Sequence, residues 1–125
     1  MRQENMENEN LFDWLEKLKS SEKLIIVEGT KDKAALVKIG IDSERIFTIN
    51  KPIFALAEGI AELSKQVIIL TDLDAEGKKL YAELKRNLTR IGVEVDNYFR
   101  EFLFRNSKLS HIEGIDTYFS KLSFL

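Results

Sequence analysis

Four acids stand at the two places in this chain where chemistry could gather. Glu28 follows the apolar run Leu24-Ile25-Ile26-Val27, and Asp72, Asp74 and Glu76 follow Val67-Ile68-Ile69-Leu70. Gly29 and Gly77 sit beside them and allow a close backbone approach. Carboxylates crowded into one space repel one another unless a divalent cation neutralises them. Magnesium favours one or two carboxylates completed by water and phosphate oxygens, so such a group suits phosphoryl chemistry. Glu28 is the odd member, either a further ligand or a general acid/base.

These acids converge only if the elements carrying them are neighbours. Both apolar runs are short, β-branched and unalternating, which is the pattern of strands buried on both faces of a parallel sheet. Residues 32–39 read as a helix closed by Gly40, residues 45–49 as a second strand, and Pro52 opens a helix to about Leu63. Ala75 to Arg90 is the longest helix, with Leu80, Leu84, Leu88 and Ile91 on one stripe and Gly92 as its stop. Val93 to Phe99 alternates and reads as a fourth, edge strand. Leu11, Trp14, Leu15 and Leu18 give a short amphipathic helix, and residues 1–10 read as disordered or frayed. Residues 101–105 read as strand or loop and residues 116–122 as a last helix. Strands alternating with helices form a βαβ series, hence an α/β fold with helices on both faces of the sheet. Ligands in such sheets bind beyond the carboxyl ends of the strands. A strand order of 2-1-3-4 makes the first and third strands adjacent and brings Glu28 to Asp72 and Asp74.

Two plainer readings compete. An acid after a strand often only caps a helix, which is a sufficient account of Asp74 or Glu76 alone but not of paired strand ends. The spacing of Asp72, Asp74, Glu76, Gly77 and Glu83 also approaches an EF-hand calcium loop. That loop needs a helix before it and irregular backbone within it, whereas a strand precedes Asp72 and a helix begins at Ala75.

Composition narrows the classes. The chain has 125 residues, 44% of them hydrophobic and 32% charged, the size and balance of one globular domain. It has no cysteine, which excludes disulfides, thiolate zinc sites and cysteine nucleophiles and fits a reducing, cytoplasmic setting. With one histidine, a metal is expected to be held by oxygen. No apolar run is long enough to span a bilayer, so no membrane partner is expected. Net charge is −2, so contact with nucleic acid must come through metal or a local basic patch.

The segments Ile25-Ile26-Val27-Glu28-Gly29-Thr30-Lys31-Asp32 and Ile69-Leu70-Thr71-Asp72-Leu73-Asp74-Ala75-Glu76-Gly77 together resemble the Toprim domain. That domain is shared by topoisomerases, DnaG-type primases, OLD-family nucleases, RecR-type proteins and ribosomal-RNA maturation ribonucleases. The resemblance covers about residues 24–99, the core of a single domain over 11–125. It implies a Rossmann-like three-layer α/β/α fold with a mostly parallel four-stranded sheet in the order 2-1-3-4. It implies Glu28 as general acid/base and Asp72 and Asp74 as ligands of Mg2+, with Mn2+ as the alternative. Glu76 falls at a third acidic place, and Asp32 at an acid frequent in the maturase and primase branches. Tyr81, Tyr98 and Tyr118 lack the separate nucleophile domain of a topoisomerase, and no cysteine module of a primase is present. The likeness is to small stand-alone Toprim proteins, closest to the RNA-processing maturation ribonucleases, but without their extra RNA-binding domain.

Lys31, Lys78 and Lys79 lie beside the acids and are candidates for holding phosphate, with Lys33 and Lys51 nearby. Lys85, Arg86, Arg90, Arg100, Arg105 and Lys108 form a second basic set covered by no nucleic-acid motif. Phe99, Phe102 and Phe104 are expected in core packing or a dimer contact, and His111 has no assigned role. Two functions follow: a Mg2+-dependent nuclease acting on structured RNA or DNA, or a non-catalytic metal- and nucleic-acid-binding module that works with a protein partner. Oligomerisation is left open.

Overall fold

The computed structural model describes residues 2–123, with side chains from residue 10 on. Four strands, β1 (Leu24–Val27), β2 (Ile46–Thr48), β3 (Gln66–Ile69) and β4 (Glu94–Asp96), pair in the order β2-β1-β3-β4, and every pairing is parallel. The helices are α1 (Arg2–Ser20), α2 (Thr30–Lys38), α3 (Ile53–Leu63), α4 (Ala75–Arg90), α5 (Tyr98–Asn106) and α6 (Ile115–Lys121). A 3-10 turn, Ile112–Gly114, precedes α6.

Alternation along the central strands builds two cores. Ile25 and Val27 with Ile68 and Leu70 face α1, α2, α5 and α6, through Trp14, Leu36, Leu103 and Phe119. Ile26 with Val67 and Ile69 faces α3 and α4, through Leu56, Ile60, Leu84 and Leu88. Burial on both faces is why β1 and β3 are unbroken apolar runs. Gly40 (φ +104) and Gly92 (φ +89) follow the ends of α2 and α4 in the left-handed conformation that glycine tolerates.

The structure departs from the sequence reading at both ends. The backbone is helical from Arg2, not from Leu11, because residues 2–10 hold helix formers and no glycine or proline. The expectation of a frayed segment otherwise falls on Met1 and on side chains outside the described residues. The expected strand over 93–99 ends at Asp96, and the strand or loop over 101–105 is helix α5. Asp96 Oδ1 accepts from the Tyr98 amide at 3.0 Å and starts that helix. From there Phe99, Phe102 and Leu103 fall at helical spacing, and Trp14 Nε1 donates to the Phe99 carbonyl at 2.9 Å. Phe99, Phe102 and Phe104 pack with the core. Pro52 precedes α3 as its N-cap, not within its first turn.

Candidate metal and phosphate site

The register of β1 against β3 (Ile25 with Ile68, Ile26 with Ile69) leaves the two strands ending side by side. Glu28 therefore reaches across: its Oε2 accepts from the Asp72 amide at 2.6 Å. Asp72 Oδ1 accepts from the Ile112 amide at 2.8 Å, and Asp74 Oδ1 from the Gly77 amide at 2.8 Å as the N-cap of α4. Each carboxylate spends one oxygen on a backbone amide, which fixes its plane and leaves the other oxygen for a ligand.

The loop from Thr71 to Gly77 is held from several sides. Thr71 Oγ1 donates to the Gly77 carbonyl at 2.8 Å. Arg100, from α5, donates to the carbonyls of Thr71 (2.9 Å) and Asp72 (2.6 Å). Its guanidinium lies 4.8 Å from the Tyr81 ring centre and 5.5 Å from that of Phe104. The Leu73 amide donates to the Ser110 carbonyl at 2.8 Å, tying the loop to the segment before α6.

That segment delivers a residue to which the sequence reading gave no role. His111 Nε2 lies 3.3 Å from Asp74 Oδ2. Ligand atoms of Asp72, Asp74 and His111 all fall within 4.8 Å of one another, so one divalent ion could touch all three. The expectation of an all-oxygen site is thereby widened to include one imidazole nitrogen. Glu76 is exposed in the first turn of α4 and stands outside this group. Because Ala75–Arg90 is continuous helix, the EF-hand spacing is a coincidence. Lys31, Lys78 and Lys79 are exposed on the first turns of α2 and α4 and form no ion pair among the described residues. His111 lies 37 positions beyond Asp74, too far for any spacing motif; its being the chain's only histidine was the one available signal.

Charge in the site is unbalanced. Burial pushes the Glu28 carboxyl above its ordinary pKa, the Asp72 amide bond pulls it back, and Asp72, Asp74 and Asp32 raise it further. Arg100 feels the charges of Glu28 and Asp72, and burial lowers its own pKa. Anchored carboxylates beside one imidazole form a donor set that fits a divalent cation.

Asp32 gives a stability prediction. It is 8% exposed, and its Oδ2 accepts from the Gly29 amide at 3.0 Å. Burial raises its pKa, with Asp72 and Glu113 adding repulsion against the Gly29 bond. A carboxyl with a raised folded pKa lowers stability as pH rises through the interval between its unfolded and folded values. Asp32→Asn keeps an acceptor for Gly29 and removes the charge. Thermal melts should show a higher Tm than the parent at pH 7, with the gain shrinking as pH falls through the raised folded value toward the ordinary Asp range. An equal or lower Tm at pH 7 would mean the charge is fully compensated.

A parallel 2-1-3-4 sheet with Glu28 at the end of β1 and the Asp72/Asp74 pair after β3 defines a metal-binding α/β domain of the nucleic-acid enzymes. The chain belongs to the Toprim domain family, whose model matches residues 23–102. Its relatives include a UPF0292 protein of Methanocaldococcus jannaschii, 34% identical over 121 residues (93% of this chain and 94% of the relative). A UPF0292 protein of Pyrococcus abyssi is 37% identical over 111 residues, 88% of this chain and 83% of the relative. A solved structure of a protein from Aquifex aeolicus superposes with a TM-score of 0.78 at 34% identity, covering 85% of this chain and 98% of that one. Among the described residues, no helix is long and apolar enough to cross a membrane.

Proposed function

We propose that the protein is a Mg2+-dependent Toprim-type nuclease acting on structured RNA or DNA. The observation that carries this reading is the anchoring of Glu28, Asp72 and Asp74, each by one oxygen on a backbone amide of this loop system. Asp72 and Asp74 would hold the metal, His111 offers a third donor, and Glu76 assists through water. The metal, when bound, polarises a non-bridging phosphate oxygen and lowers the pKa of a water. Glu28, with its raised pKa, takes the proton of the attacking water or gives one to the leaving oxygen. Gly77 keeps space beside the Asp72 carbonyl, Asp32 braces the Glu28-Gly29 corner, and Lys31, Lys78 and Lys79 receive phosphate oxygens.

The test is to incubate the protein with labelled structured RNA, duplex DNA and single strands, with magnesium, manganese or EDTA, beside Asp72→Asn. Metal-dependent cleavage absent from the variant supports the nuclease. Metal binding without cleavage would transfer the protein to the second class, a non-catalytic module serving a partner.

The imidazole carries its own prediction. Nitrogen donors favour transition metals over magnesium, so His111→Gln should weaken Mn2+ binding about tenfold in calorimetry and leave Mg2+ binding nearly unchanged. Equal losses for both ions would make His111 a positioning residue for Asp74 and not a ligand.

A further inference from the structure

The outer face of α4 extends the positive charge of Lys78 and Lys79, beside the metal site, with Lys85, Arg86 and Arg90, which that site does not use. Lys78, Lys79, Lys85, Arg86 and Arg90 are all exposed, and their spacing of three and four puts them on one face with Ala82 and Thr89. The acids of the helix, Glu76 and Glu83, border this face, at three and four positions from Lys79 and, for Glu83, three from Arg86. None of the five cations forms an ion pair among the described residues. In a chain of net charge −2, five unpaired cations on one helix face are a local concentration of positive charge.

Tyr81, Ala82, Lys85, Arg86, Thr89 and Arg90 line a shallow, open depression on this face whose surface is largely apolar. It is contiguous with the metal loop, because the Tyr81 ring stacks on Arg100, which holds the Asp72 carbonyl. The helix itself begins at its cap, Asp74.

We propose that this face of α4 is the substrate grip: the phosphate backbone of a nucleic-acid strand lies along it, leading away from the metal. The inference rests on the nucleic-acid reading above and adds where the strand runs. From Lys78 to Arg90 the helix rises about 18 Å, the axial length of about five nucleotides of a duplex strand. Phosphates would take the lysines and arginines, and the sugar edge would meet Tyr81, Ala82 and the Thr89 methyl group. An acidic protein surface would match the charge but not the spread of cations along the whole length of the helix.

The experiment measures fluorescence anisotropy of labelled duplex and single-stranded RNA and DNA across a salt series, with EDTA present so that no strand is cut. The parent is compared with the triple variant Lys85→Ala, Arg86→Ala, Arg90→Ala. A second triple, Lys17→Ala, Lys65→Ala, Lys121→Ala, removes equal charge from other surfaces. The α4 variant is expected to lose about a hundredfold in affinity and ~2–3 units of the slope of log K against log salt. The control should lose little of either. Equal losses in both triples would make the effect one of net charge and overturn the proposal, as would an α4 variant that binds like the parent. A parent that binds no nucleic acid overturns the underlying reading as well. Unchanged Tm and Mn2+ affinity in the α4 variant certify that its loss is not one of folding.

Discussion

Glu28→Gln yields a folded protein that cuts nucleic acid about a thousandfold more slowly than the parent, the usual contribution of a positioned acid/base group. The substitution is informative because of what it preserves. Glutamine still presents an oxygen to the Asp72 amide, 2.6 Å away in the parent, so the metal loop keeps its support. What disappears is the ability to take or give a proton. Neither Tm nor Mn2+ affinity should therefore fall with the rate; removing one of four clustered charges should if anything raise the Tm. Glu28→Ala makes the contrast. It strands the partly buried Asp72 amide, at a cost of about 1–3 kcal/mol, and should lose stability and metal affinity together with rate. Single-turnover rates at saturating manganese, read beside melting curves, separate the two. A glutamine variant as fast as the parent would remove Glu28 from the reaction and leave it as a strut for the loop.

The strands and their acids were legible because burial on both faces leaves a plain mark. Leu24–Val27 and residues 67–70 could not be amphipathic helices, and the parallel order that made them neighbours put Glu28 against Asp72. The partners that complete the site left no such mark. Ile112 reaches Asp72 through its backbone amide, which any residue but proline would supply. Arg100 reads in sequence as one more cation, and only the turn from β4 into α5 aims it at the carbonyls of Thr71 and Asp72. That turn was itself hidden, since Val93 to Phe99 alternates and its aromatic residues favour strands, while the contact that decides the matter, Trp14 on the Phe99 carbonyl, spans 85 residues. Local pattern thus located the acids, and long-range backbone bonding oriented them.

Gly77→Ala tests that orientation from the opposite side, and its sign runs against helix propensity. Gly77 lies in the first turn of α4, where alanine should be better by up to about 1 kcal/mol on backbone entropy alone. Yet a Cβ there would overlap the Asp72 carbonyl oxygen and sit 2.6 Å from its carbonyl carbon. Those atoms are backbone, pinned by Arg100 on the same carbonyl and by Glu28 on the Asp72 amide, so no side chain can swing away. Relief would require the loop to open, breaking the Gly77 amide bond to Asp74 and the Thr71 hydroxyl bond to the Gly77 carbonyl. The clash wins: Gly77→Ala should lose about 3 kcal/mol in urea unfolding, the upper end for overpacking, and Mn2+ binding should fall with it. Gly59→Ala in α3 is the matched control, because a Cβ there meets nothing within 4 Å. It should gain about 0.5–1 kcal/mol and leave metal affinity unchanged. If the two variants behave alike, the approach of α4 to Asp72 is soft, and the metal loop cannot be the rigid frame on which Asp72 and Asp74 depend.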